Sequence, residues 1–210
     1  MYVPHAFRPT DARDALTLIE RHPFANVVSV VAAKVVVSSL PCAIIAREPA
    51  LVIGAHFARA NPHWKAIESA GATLLFEGPH GYISPRWYTA PYRDVPTWNY
   101  AAVHVTATAK LLDEPETRAL LERLTAEFEG NAADGWSMYQ AEEDFIAAQL
   151  RGIVGVHFIA TTVDAKFKLS QNRAPEDRDG ATRGLRSSGR EADRELAELM
   201  DYMSKPPLTV

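Results

Sequence analysis

Basic and amide side chains are concentrated in residues 55–65, where an apolar run ends and a helix-start signal follows. Asn61 precedes Pro62, a pair typical of a helix N-cap and the first helical position. The first turn of a helix presents unpaired N–H groups and a partial positive charge, which suit a phosphate. The segment therefore indicates a phosphate site or, equally, an ordinary capped helix with solvated basic side chains. The candidate phosphate ligands are Arg59 and Asn61, followed by His56 and Lys65, and His63 adds a further donor near the helix start.

Aromatic rings alternate with Ser, Thr and Asn in the proline-rich residues 78–100, which include Trp87 and Trp98. Such rings can cover a flat heteroaromatic ligand, while amides serve its edge. The alternative is a loop held to its own domain by its Trp and Tyr rings. Polar residues also follow an expected strand near residue 168, and these can face a ligand, a subunit interface or a plain turn. The ring-side candidates are Trp98, Asn99, Ser170, Gln171 and Asn172.

Several enzyme classes have no support in the motifs. The sequence contains no G-x-S-x-G, no phosphate-binding P-loop and no G-x-G-x-x-G. The 7 His are scattered and there is only 1 Cys, so neither a zinc site nor a disulfide is expected. Cys42 lies in an apolar run and is expected to be buried and unreactive. No catalytic residue is assigned, and an enzymatic role is left open.

Composition narrows the class of protein further. The chain has 210 residues, 47% hydrophobic and 23% charged, which excludes a disordered chain, collagen and a coiled coil. Its net charge of −4 argues against coating nucleic acid. We expect a cytoplasmic protein with no membrane span. The Arg-rich residues 173–194 are interleaved with acids, so we expect a solvated surface rather than a DNA-reading element.

The predicted strands and helices that must position these residues follow no regular order along the chain. Val-rich and Ile-rich or alternating runs predict strands, and capping signals at Thr10, Asn61 and Asp113 predict helices. Strands and helices do not alternate strictly, so we expect an α+β domain with an antiparallel sheet or small barrel. The expected strands are 26–37, 40–46, 50–55, 72–77, a short one at 81–84, 103–111 and 153–163, with further helices at 140–150 and around Leu196–Met203.

Seven motifs, taken together, resemble the PaiB-type family, whose members are often labelled FMN-binding negative transcriptional regulators. Each motif alone is weak, but they follow the family order over nearly the whole chain. They are the residues at 1–4, 22–25, 58–62, 78–80, 84–88, 95–100 and 168–173.

The resemblance implies a split β-barrel of the pyridoxamine-phosphate-oxidase and flavin-reductase type, with peripheral helices. It also implies FMN at the interface of a homodimer, and DNA or a transcription partner through the regulator label. We expect an FMN-binding domain over residues 1–170 and a charged segment over 171–210 that ends in a helix and packs on the same domain. The alternatives are a flavin-dependent oxidoreductase that uses NAD(P)H and, more remotely, a haem-binding protein.

Two positions depart from the pattern expected of the family. Ser39 stands where a His is expected, and Phe167 stands where a Trp is common. Ser39, Leu40 and Cys42 lie on a strand that in split barrels runs beneath the flavin. The resemblance therefore adds Ser39 and Leu40 to the candidate cofactor contacts, through main-chain atoms.

Overall fold

The computed structural model describes residues 1–130 and 135–204. Seven strands and six α-helices occupy the described residues, with short 3-10 turns between some of them. In chain order they are α1 Ala12–Arg21, β1 Phe24–Val31, β2 Lys34–Pro41, β3 Ala43–Ala46, β4 Val52–Ala58, α2 Trp64–Ala70, β5 Ala72–Ile83, β6 Thr97–Leu111, α3 Glu114–Glu129, α4 Glu143–Leu150, β7 Ile153–Lys168, α5 Pro175–Arg186 and α6 Glu191–Tyr202.

The seven strands follow the order β2-β1-β5-β6-β7-β4-β3. The pairs β1–β2, β1–β5, β3–β4 and β4–β7 are all antiparallel. The α+β class with an antiparallel sheet, predicted from the sequence, is confirmed. No helix within the described ranges is long and apolar enough to span a membrane.

The chain divides into two compact units. The first unit comprises Met1–Leu18, Glu77–Val103 and Asp164–Val210, and the second comprises Ile19–Phe76 and His104–Val163. Residues 205–210, the end of the charged C-terminal segment, lie outside the described residues.

In the second unit, the β1–β2 hairpin replaces the single strand expected over residues 26–37. Val31 pairs with Lys34, so Ala32 and Ala33 alone form the turn. Both alanines have positive φ, 49° and 62°, as a two-residue hairpin turn of the I′ type requires. The expectation of one strand was wrong because alanine is not a turn residue; the pairing of the two strands imposes the conformation.

Helix α3 packs closely on β4 and β7 in the second unit. A Cβ on Gly54 would lie 2.4 Å from Leu120 Cδ1, and one on Gly155 would lie 2.6 Å from Thr117 Oγ1. Asp113 and Glu116 form the capping box that starts α3, as their spacing predicts. This packing surrounds a core whose fully buried side chains include Phe57, Phe76 and Phe158.

In the first unit, the strands extend further into residues 78–100 than the sequence indicates. β5 runs on to Ile83 and β6 already begins at Thr97. A connection with two 3-10 turns, Pro85–Trp87 and Pro91–Arg93, joins them. Trp87 packs against α5, so closely that a Cβ added to Gly184 would lie 2.2 Å from the indole.

Candidate functional site

Three polar side chains of the second unit form a network around the start of α2. Asn61 Nδ2 donates to Ser38 Oγ at 2.9 Å, and Ser38 Oγ lies 2.9 Å from His63 Nδ1. Asn61 Oδ1 also accepts the His63 N–H at 3.0 Å. Because Ser38 Oγ accepts the Asn61 amide proton, its own proton can point to His63 Nδ1. Ser38 Oγ has two lone pairs and can also accept from Nδ1–H, so the hydrogen of neutral His63 lies on Nε2 only in the arrangement in which Ser38 donates.

His63 is the most enclosed polar side chain of this segment. It is 2% exposed, and its Nε2 is buried with no hydrogen-bond partner among the described residues. Burial lowers the pKa of His63 below its ordinary value, so the ring is neutral near pH 7. Its ring meets Phe57 edge-on at 5.4 Å between centroids.

Arg59, the leading phosphate candidate, is exposed and bonded to main-chain carbonyls of its own unit. Its Nε donates to Arg151 O at 2.6 Å and its Nη2 to Ile153 O at 2.7 Å. Its own carbonyl accepts the indole N–H of Trp64 at 2.9 Å. Arg59 therefore supports the start of β7 and carries a charge at the protein surface.

Arg59 and Trp64 line an open cavity of about 510 Å³ within the second unit. This volume falls in the range of small-ligand sites. The cavity has charges of both signs around an apolar base, so it does not by itself select an anion. Its other lining residues are Leu111, Leu112, Asp113, Glu114, Thr117, Leu150, Arg151, Ile153 and Val154.

The helix start differs from the expected one. α2 begins at Trp64, three residues after Asn61, and the Asn61 side chain caps the preceding turn rather than the helix. The N–H groups of Lys65 and Ala66 bond back to Pro62 O and His63 O. Those two first-turn donors are thus already paired, so side chains carry more of any phosphate contact than the sequence indicates.

The other candidates of the second unit lie on β2, β4 and α2, and the alternation along β4 places His56 on the face opposite to Phe57, which contacts His63. His56 lies on β4, and its Nδ1 is buried without a partner among the described residues. Lys65 is exposed, with its Nζ 5.9 Å from the Trp64 ring centroid. Ser39 is exposed and donates to Asn26 Oδ1 at 2.7 Å, whereas Leu40 is buried.

In the first unit, the side chains of most ring-side candidates form hydrogen bonds with other residues of the same unit. Asn99 is 1% exposed and donates to Ser170 Oγ at 2.9 Å. Gln171 accepts the Leu169 N–H at 2.7 Å and donates to the Phe167 carbonyl. These bonds hold a sharp turn in which Ser170 has a φ of 66°.

Two candidates of the first unit remain accessible to a ligand. Trp98 is 53% exposed and its ring lies 6.2 Å from that of His80. Asn172 is exposed as well. Trp87, by contrast, packs on α5 and serves the scaffold.

Cys42 is fully buried, and burial raises the pKa of its thiol to about 12. The prediction of a buried, unreactive cysteine is therefore confirmed.

A comparison of the sequence with known protein families assigns this chain to one of them. Residues 1–162 match the family described as "Putative FMN-binding domain". The chain belongs to this family.

A relative supports the same assignment within the FMN-binding family. The chain is 31% identical to the "Protease synthase and sporulation protein PAI 2" of Bacillus subtilis (strain 168), over 96% of this chain and 97% of that protein. The PaiB-type resemblance drawn from the motifs is confirmed.

Solved structures show the fold that this family member shares. The flavocytochrome Anf3 from Azotobacter vinelandii is similar with a TM-score of 0.59 and 15% identity, covering 80% of this chain and 73% of its own. The FAD and heme binding protein from Mycobacterium smegmatis has a TM-score of 0.59 and 16% identity, covering 86% and 80%. The predicted split-barrel fold class is confirmed by these flavoprotein structures.

One residue of the network, Ser38, was missing from the prediction, and His63 was expected only as a further donor near the helix start. Ser38 lies on the buried face of β2 with Leu40 while Ser39 points to the opposite face, and the unalternating sequence of β2 gives no signal for this difference.

The Arg-rich C-terminal helices of this family member carry their own counter-charges. Arg190 pairs with Asp193 at 2.7 Å and Arg194 with Glu191 at 2.6 Å. Arg186 also pairs with Asp201. This internal pairing leaves little net positive charge for binding DNA phosphates.

Proposed function

We propose that this member of the FMN-binding family binds FMN and holds its phosphate at the Ser38–Asn61–His63 network, with Arg59 and Lys65 as further candidates. One observation carries the proposal. His63 Nε2 is one of three buried side-chain polar atoms without a partner among the described residues. A buried polar atom without a partner is costly, so this atom indicates a missing partner.

The donor types present fit a phosphate ester. In the arrangement in which Ser38 donates to Nδ1, neutral His63 offers an Nε2–H, Asn61 orients it through Ser38, and the exposed ammonium of Lys65 adds charge. Phosphate oxygens accept such hydrogen bonds strongly. When bound, FMN supplies a redox-active ring, while the protein binds and orients it.

We also propose a homodimer, supported by an apolar face of the β1–β2 hairpin in the second unit. Val35 and Val37 are 68% and 54% exposed on the edge strand β2, and Val30 and Phe24 on β1 are 63% and 66% exposed. Their pairs, Val30 with Val35 and Phe24 with Pro41, place these side chains on one face. The valines form an exposed apolar patch, which the polar pair Asn26–Ser39 separates from Phe24, and such patches are typical of an interface.

For the biological role, we propose a regulator-like protein similar to its Bacillus subtilis relative. The acidic, internally paired α6 makes direct DNA reading through the C-terminal helices unfavourable, so a transcription partner is the better route. The oxidoreductase alternative is tested separately. Bleaching of the bound flavin by NADH or NADPH in anaerobic stopped flow would establish it, and a stable oxidised flavin with both nucleotides would support the regulator.

The phosphate site is tested by comparing FMN with riboflavin, which lacks the phosphate. Asn61→Asp retains the Oδ1 that caps His63 N–H but removes the Nδ2 donor and adds a negative charge. The added carboxylate repels the phosphate, and loss of the bond to Ser38 removes the group that orients His63, so FMN affinity should fall about tenfold to a hundredfold. Riboflavin affinity should stay unchanged.

Arg93→Ala, an exposed arginine of the first unit, is the matched control and should leave both affinities unchanged. Fluorescence quenching of the flavin measures them. An unchanged ratio of FMN to riboflavin affinity in Asn61→Asp would remove this network from the site, and failure of the wild type to bind FMN would remove the function.

A further inference from the structure

Aromatic and lysine side chains share the exposed side of β5, β6 and β7 in the first unit. These three strands are neighbours in the sheet. Along each strand, the more exposed positions alternate with buried ones. The buried positions next to the exposed ones are Gly81, Ile83, Asn99 and Phe167. We name the outward residues the aromatic–lysine face: His80, Tyr82, Trp98, Tyr100, Lys166 and Lys168.

Contacts between the strands hold this face together. The His80 and Trp98 ring centroids lie 6.2 Å apart, with the ring planes tilted by 34°. The Lys166 ammonium lies 5.3 Å from the Tyr100 ring centroid and 5.6 Å from that of Tyr2. The Lys168 ammonium donates to Trp98 O at 2.6 Å and also to Thr97. The rings are therefore pre-positioned even though Trp98 is 53% exposed.

The face keeps a positive charge. Asp164, on the same strand as the two lysines, is paired with the Met1 ammonium at 2.6 Å. Burial, followed by the charges of Lys166 and Arg173, lowers the pKa of Lys168, so two further cations act on it. An ammonium has three donors, and the two contacts of Lys168 leave one for a ligand.

We propose that the aromatic–lysine face binds an exchangeable nucleotide, with its planar base stacked on Trp98 and its phosphate beside Lys166 and Lys168. Exposed rings plus lysines complement a flat ring that carries an anion. A tightly held cofactor is mostly enclosed, whereas this face is open, so it suits a ligand that exchanges. The proposal does not depend on where FMN binds.

The test uses AMP as the probe and ligand-observed NMR on the full chain. Loss of one stacking partner should weaken AMP binding by about tenfold in Trp98→Ala. Trp98→Phe, which keeps a ring, should retain most of the affinity. Trp136→Ala, at a 44% exposed tryptophan of the second unit, is the matched control and should bind AMP like the wild type.

The phosphate contact is tested with adenosine. Lys166→Gln should weaken AMP about fivefold to tenfold and leave adenosine unchanged, because only AMP carries the anion. Wild-type protein saturated with FMN should bind AMP as the unsaturated protein does.

Four results would overturn the proposal: no AMP binding at millimolar concentration, an equal loss in Trp136→Ala, loss of AMP binding on saturation with FMN, or far tighter binding of a single-stranded oligothymidylate. The third would assign the face to the flavin and the fourth to nucleic acid. If AMP binds and FMN does not, this proposal stands while the proposed FMN binding fails.

Discussion

The Ser38 hydroxyl lies 2.9 Å from His63 Nδ1, and both side chains are buried. The contact joins strand β2 to the turn before α2, 25 residues later in the chain. Protonation of His63 would place a positive charge on this buried imidazole, so the charge state of His63 affects the stability of the second unit.

Acidification should therefore destabilise the protein in the range of histidine titration. Burial lowers the pKa of His63, His56 and His157 below the ordinary value of 6.5. Below about pH 6.5 the unfolded chain takes up these protons before the folded one, so stability is highest above that pH and is lost as the pH falls.

Urea unfolding at pH 7.5 and at pH 5.5 measures this effect, above the range in which most carboxylates titrate. His63→Gln should reduce the pH dependence, since it removes one titrating group. Equal stability at the two pH values in the wild type would contradict the expected histidine linkage.

Gln171 should matter for stability rather than for the flavin. Its amide bonds to Leu169 N and Phe167 O, closing the turn in which Ser170 has positive φ. Gln171→Ala should lower the free energy of unfolding by about 1–3 kcal/mol and leave FMN affinity unchanged.

The neighbouring Asn172→Ala, at an exposed position, should change stability by less than about 0.5 kcal/mol. Thermal unfolding of the apo-protein and flavin titration together distinguish the two roles. A loss of affinity without a loss of stability in Gln171→Ala would restore this residue to the cofactor site.

Substitutions at Trp87 and at one glycine of α5 should have coupled effects on the free energy of unfolding. A Cβ on Gly184 would approach the Trp87 indole to 2.2 Å, while one on Gly180 would approach the Trp87 carbonyl oxygen to 2.0 Å. Gly184→Ala and Gly180→Ala should each destabilise the protein by about 1–3 kcal/mol through overpacking.

A smaller side chain at Trp87 relieves only the first clash. In a double-mutant cycle, Trp87→Leu should offset much of the cost of Gly184→Ala and none of the cost of Gly180→Ala. Strict additivity for both pairs, measured by urea unfolding, would show that the indole does not seat on α5 as described.

The exposed valines of β2 should control assembly. Val35→Lys combined with Val37→Lys places two charges on the apolar hairpin face and should convert the proposed dimer to monomers. Light scattering at micromolar concentration measures the mass, with Tyr92→Lys, fully exposed in the first unit, as the control. A wild-type monomer, or a dimer that survives both lysines, would exclude this face as the interface.

Features governed by neighbours in the chain were predictable from the sequence. The capping box of Asp113 and Glu116 needs only residues three apart, and it is present as expected. The polar–apolar alternation from Val103 to Leu111 likewise identifies part of β6, because one face of the strand is buried. The motifs, taken in order, also sufficed to indicate the family.

Tertiary structure decided what depends on pairing across the chain. The register of β2 against β1 places Ser38 on the buried face and Ser39 on the exposed one, a difference of one residue that a short Ser-Ser run does not reveal. The same pairing forces Ala32 and Ala33 into positive φ without any turn residue. Asn99 and Ser170 lie 71 positions apart, and only folding brings their side chains together and makes Asn99 a buried hydrogen-bond partner rather than an exposed amide. Local composition specifies which polar groups are present; the burial and partners that set their chemistry arise from contacts between distant segments.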